Sequence, residues 1–136
     1  GDLFVAKLDS SGNYLWAKNA GGLSATAEAR GVAVDGSGTV YVAGTINGQI
    51  KLGSITARSE GTGQDALYAE LDSTGTFIWA ESGGGAGSDA GNDVGVDSAG
   101  KYVYVVGSFT GPATFGKKKL NLAGPGSTDI LLWRLR

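Results

Sequence analysis

The sequence predicts an all-β protein made of two repeat units, each of four antiparallel strands. Three observations carry that expectation. The chain overlays on itself at an offset of 63 residues, from Asp2 to Asp65. Turn signals of the form Asp-x-x-Gly recur between short apolar runs, and no stretch of useful length has helical periodicity.

With Asp2 laid on Asp65, the residues Ala6, Leu8, Asp9, Ser10, Gly12, Trp16, Ala17, Gly21 and Gly22 all meet identical partners. "VDGSGTVYVAG" (34–44) then matches "VDSAGKYVYVVG" (96–107) with one residue inserted near Lys101, and Gly48 and Gly53 match Gly111 and Gly116. The terminal "DILLWRLR" (129–136) follows the opening "DLFVAKLD" and the central "DALYAELD". The units are therefore drawn as residues 1–64 and 65–128, with 129–136 the first strand of a third copy.

Within each unit, "DLFVAKLD" and "NYLWAKN" are strand-length runs separated by Ser-Ser-Gly. "RGVAVD" and "TVYVAGTI" form a second pair separated by Gly-Ser-Gly. The second pair is apolar on both faces, as a strand between neighbours would be. The first pair carries Lys7 and Lys18 in copy one, Glu70 and Glu81 in copy two, and is expected nearer solvent. Nine candidate strands result, one more than two four-stranded units need. "GLSATAEARG" (22–31) is the one helix candidate, short and flanked by Gly.

Asp-x-x-Gly stands between strands four times, at Asp9–Gly12, Asp35–Gly38, Asp72–Gly75 and Asp97–Gly100. A hairpin loop of this length needs a residue at positive φ, which Gly supplies at no steric cost. The Asp can accept hydrogen bonds from backbone N–H groups two or three residues on. A calcium loop needs several oxygen side chains at alternating positions, whereas each of these offers one carboxylate and some hydroxyls. The motif reads as a structural turn.

Composition narrows the chemistry. Twenty-five Gly and two Pro fit tight turns between short strands, and a net charge of −2 supplies no field for nucleic acid or an anionic membrane. Without Cys there is no disulfide or thiolate chemistry, and without His the commonest general base and metal ligand is missing. No apolar run approaches the roughly 18 residues of a membrane span, and no signal-peptide pattern is present. A chain starting at Gly1 is expected to be an excised, processed or engineered piece.

Four constellations remain, each with a plainer reading. Glu60 with Asp65, or Asp89 with Asp93, offers paired carboxylates of glycosidase type, against solvated loop charge. "GPATFGKK" (111–118) and "GAGSDA" (85–90) imitate phosphate loops, but the first has Lys118 where Ser or Thr is required, and neither precedes a helix. Lys117 to Lys119, with Arg134 and Arg136, form either a basic patch for polyanions or a protected strand edge. Trp16 and Trp79, with Tyr14 and Phe77, fall on one face of an outer strand, suited to packing and secondarily to sugar stacking. The chain is thus expected not to be an enzyme: no catalytic, cofactor-binding or metal-binding residue is assigned, no cofactor is expected, and no ligand-binding residue is named.

Four strands per unit, with apolar inner strands, is how the blade of a β-propeller reads. The segments "DLFVAKLDSSGNYLWAK", "VAVDGSGTVYVAG" and "GPATFGKKKLNLAGPGSTDILL" resemble the SBBP repeat, the bacterial "seven-bladed β-propeller" repeat, over nearly the whole chain. "DILLWRLR" departs from the pattern in lacking the usual small residue and acidic turn, and Lys117 to Lys119 is unusually basic for it. The resemblance implies a propeller-type fold in large bacterial repeat proteins, often extracellular or at the cell surface, and no enzymatic activity. Propellers close with about 4 to 8 blades, so two units are expected to close by self-association. Three or four copies would form a ring, and a contact that does not close would form a filament. The expected role is a structural or interaction module with a protein or glycan ligand, without nucleic-acid binding or membrane insertion. The alternative is a lectin-like glycan binder with repeated loop and aromatic sites.

Overall fold

A computed structural model describes the chain from Gly1 to Arg136. The fold is all-β, with no helix and several antiparallel sheets. Its geometry starts at the turns. Gly12, Gly38, Gly75 and Gly100 all sit at positive φ, between 68° and 85°, and each donates its N–H to the carbonyl of the Asp three residues earlier. Asp9, Asp35 and Asp72 each take two further backbone N–H groups on one carboxylate oxygen, at 2.9 to 3.0 Å. Asp97 closes a loop one residue longer by accepting from the Tyr102 N–H at 2.7 Å.

Thirteen strands follow: β1 (Leu3–Leu8), β2 (Tyr14–Ala20), β3 (Thr26–Val34), β4 (Val40–Asn47), β5 (Gln49–Leu52), β6 (Ile55–Arg58), β7 (Asp65–Leu71), β8 (Phe77–Gly85), β9 (Ala90–Val96), β10 (Val103–Phe109), β11 (Ala113–Phe115), β12 (Lys118–Leu120) and β13 (Asp129–Arg134). Nine were expected. The four additional ones are two short Gly-centred hairpins, β5–β6 and β11–β12, with strands of only three or four residues. The helix candidate at 22–31 runs into β3 instead.

The strands stack as three layers. The first is the β1–β2 hairpin; the second is the meander β3-β4-β7-β8; the third is β9-β10-β13. Each small hairpin leans on the outer strand of the layer before its own. Lys51 of β5 bridges Gly21 just after β2, and Thr114 of β11 pairs with Gly84 of β8. The repeat of the sequence is therefore out of phase with the sheets. Residues 1–64 supply the outer half of one layer and the inner half of the next, and 65–128 do the same one layer on. The surplus strand is resolved too: β1 and β13, the same strand of the repeat, lie in different layers.

Two cores lie between the layers. The first joins Leu3 and Ala20 to Val42, Leu67, Leu71 and Phe77 of the meander; the second joins its other face, with Tyr41, Ala66 and Tyr68, to Val94, Val105 and Trp133. Burial departs from expectation in the middle layer. β7 is buried along its whole length, Glu70 included, although its charge pattern predicted solvent. β3, read as sandwiched, is mostly exposed.

Candidate functional site

Neither candidate carboxylate pair forms as such, and the plainer reading of solvated loop charge fails for Asp65 and Asp89, which are buried together. Glu60 is exposed; it donates its backbone N–H to Asp65 at 2.7 Å, and its negative charge adds to what raises the Asp65 carboxyl. Asp93, also exposed, accepts from the Val94 N–H, at a distance from Asp89. Asp65 and Asp89, each only 1% exposed, flank Gly84 instead. A methyl carbon on Gly84 would meet Asp65 Oδ1 at 2.5 Å and Asp89 Oδ2 at 2.6 Å, so a side chain there would displace both acids. Asp89 is satisfied by the N–H groups of Gly85 and Thr110, whereas Asp65 Oδ1 has no hydrogen-bond partner. Burial, with the negative charge of Asp89 beside it, pushes the Asp65 carboxyl up to about 6. Burial raises Asp89 as well. Below about pH 6 the arrangement sets a protonated Asp65 carboxyl beside Asp89. The pair was hidden in the sequence because its members lie far apart in the chain, at the start of β7 and just before β9, and meet across Gly84, where the missing side chain leaves room for both.

The aromatic residues part company. Phe77 enters the first core and Trp79 packs against the second, because a bulge opposite Glu70 and Leu71 puts an extra residue into β8. Trp79 meets Tyr68 edge-on, with ring centroids 5.6 Å apart, and carries the Arg136 guanidinium over its face. Trp16 packs on the first core and donates its indole N–H to the Ser73 carbonyl, while Tyr14 is exposed.

The basic residues divide similarly. Lys118 and Lys119 lie on β12, the edge of the largest sheet. Arg136 turns inward to pair with Glu70, which also accepts from the Tyr68 hydroxyl. The phosphate-loop imitations are a hairpin through Gly116 and the connection from β8 to β9.

Two of the molecule's open features are grooves beside a strand with a free edge. One, about 440 Å³, runs along β13 with Phe115 and Trp133 at its floor and Lys117, Lys118 and Arg134 at its rim. The other is a pair of hollows of about 230 and 280 Å³ beside β1, over Val32 and Val34 of β3. Both mark places where the layer is short of strands. Repeat positions make the point quantitatively. Val94, covered by the middle layer, is 7% exposed, while its counterpart Val32 is 62% exposed. Ala66 and Tyr68 are fully buried, while their counterparts Ile130 and Leu132 are 87% and 66% exposed.

Residues 15–50 match the family model of a β-propeller repeat. That segment is similar to an SBBP repeat. It runs from β2 through β3 and β4 to Ile50 of β5, and so crosses from the first layer into the second. The SBBP resemblance read from the sequence is thus found in this part of the chain. No curated protein matches the chain.

Proposed function

We propose that the chain is a non-catalytic structural module that completes a β-propeller by associating with further copies of itself, as part of a bacterial surface or secreted repeat protein. One observation carries the reading: the faces left uncovered at the two ends repeat, position for position, the faces buried between the layers. The SBBP segment supports the propeller geometry. The chain holds two blades' worth of strands, so three copies supply six blades and four supply eight, inside the usual range of about 4 to 8. The non-catalytic reading draws on a sequence without His or Cys. Of the four aromatics singled out from the sequence, a glycan reading is left with Tyr14, since Phe77, Trp16 and Trp79 are engaged in packing.

The test is absolute mass by light scattering after size exclusion. A single species of three copies of the 13.7 kDa chain, about 41 kDa, or of four, about 55 kDa, supports the ring. Persistence of a 13.7 kDa species at every concentration overturns self-association. Very large, polydisperse material overturns closure and indicates a filament.

A further inference from the structure

We infer that β13 is an exchangeable strand, and that the β1–β2 hairpin of a second copy takes its place on β10. The inference rests on the self-association proposed above and specifies the contact that performs it. β1, β7 and β13 occupy one position of the repeat, each opening on an Asp: Asp2, Asp65 and Asp129. In the complete middle layer that position is flanked by β4 and β8. β1 has only the counterpart of β8, namely β2; β13 has only the counterpart of β4, namely β10. The β9–β10 pair of one copy and the β1–β2 hairpin of another therefore sum to one full sheet, and β13 is the strand left over.

The residues favour β1 as the occupant. Where β7 carries Ala69 opposite Val42, β1 carries Ala6 but β13 carries Trp133. The two grooves agree with this, since the exchanged hairpin fills the one beside β13 and the partner's β9–β10 fills the one beside β1. Docking also covers the matching apolar faces, with Val32 and Val34 of one copy meeting the layer that carries Tyr104 and Val106 of the other. β13 is the strand that moves, taking Leu131 and Trp133 out of the second core and Arg136 off Glu70. Phe4 and Ala6 of the hairpin enter at the positions of Leu131 and Trp133. Nothing pairs with the outer edge of β13, whereas the hairpin stays closed at the Asp9 turn. The intrachain strand has the advantage of proximity, so exchange is favoured as concentration rises.

The register is fixed by the repeat. Val42 faces Ala69 on β7, so Val105 faces Ala6 of the second copy and Val106 faces its Val5; within the chain Val106 faces Leu132. The protein has no Cys, which makes the experiment clean. Val106→Cys with Leu132→Cys fastens β13 to β10. Val106→Cys with Val5→Cys joins copies only if β1 reaches β10. Oxidised at a concentration where the parent assembles, the fastened variant is expected to run as a 13.7 kDa monomer and to assemble again on reduction. The second variant is expected to give disulfide-linked multimers that neither single substitution gives. If the fastened variant assembles as the parent does, or the second variant fails to link, exchange is overturned while self-association stands. If the parent itself never assembles, both fall.

Discussion

At the scale of single residues, the least ordinary group is Asp65. Its carboxyl ionises near 6 in the folded chain and near 3.8 in the unfolded one. Below pH 4 both states are protonated and the group is neutral in its effect. Between pH 4 and 6 the unfolded chain releases the proton while the folded one keeps it, so stability falls as the pH rises through that window. A shift of this size corresponds to about 2–3 kcal/mol by pH 7. Asp65→Asn places an amide donor where Oδ1 now lacks a partner. Urea unfolding at pH 4 and pH 7 should show the variant gaining on the parent by about that amount at the higher pH. Equal pH dependence in both proteins would refute it. Asp35 acts in the opposite sense. Partial burial works against its charge, but hydrogen bonds from Ser37, Tyr41 and Thr39 outweigh it and hold the carboxyl at about 2, so its contribution is lost only as the pH falls toward that value. Glu70 is a third test. Arg136→Ala leaves this buried carboxylate with only the Tyr68 hydroxyl, and a loss of about 2 kcal/mol is expected in thermal or urea unfolding, moderated by the partial exposure of Arg136.

At the scale of elements, the four Asp-x-x-Gly turns were legible because residue type alone determines their backbone: a positive φ needs Gly, and the Asp caps locally. Two of them make a matched pair. Gly12 and Gly75 sit at φ 85° and 84°, but nothing surrounds Gly12, while an added methyl at Gly75 would lie 2.8 Å from the Trp16 ring. Gly12→Ala should cost about 1 kcal/mol for the backbone alone. Gly75→Ala should cost about 1–2 kcal/mol more, because Trp16 has to shift in the first core. Equal urea midpoints for the two variants would show that Trp16 is not held by that turn. Other features were illegible for equally physical reasons. Tyr14 and Trp16 look alike at a spacing of two until the bulges opposite β1 and β7 break the alternation. Glu70 looks solvent-facing until Arg136, 66 residues away, arrives beside it. Above all, a periodic sequence does not mark where a sheet begins, so the stagger of repeat against layer is visible only in the strand pairing.

At the scale of the whole molecule, the ends of the stack decide its behaviour. Val32 on one end face and Val106 on the other are exposed and bear little of the monomer's stability. Val32→Glu and Val106→Lys should each shift unfolding by less than about 0.5 kcal/mol. Each should also lower the mass seen by light scattering at a concentration where the parent associates. An unchanged mass with both substitutions combined would show that these faces take no part in association. The stagger between repeat and layer also bears on how such chains grow. Bricks laid in running bond straddle the joint beneath them, and each repeat straddles two sheets in the same way. A tandem duplication of the coding sequence therefore keys into the existing courses whatever the phase at which it starts. Its leading strands complete the layer left open before it, and its trailing strands leave open the same kind of layer behind. Lengthening such a protein needs no new joint to be invented.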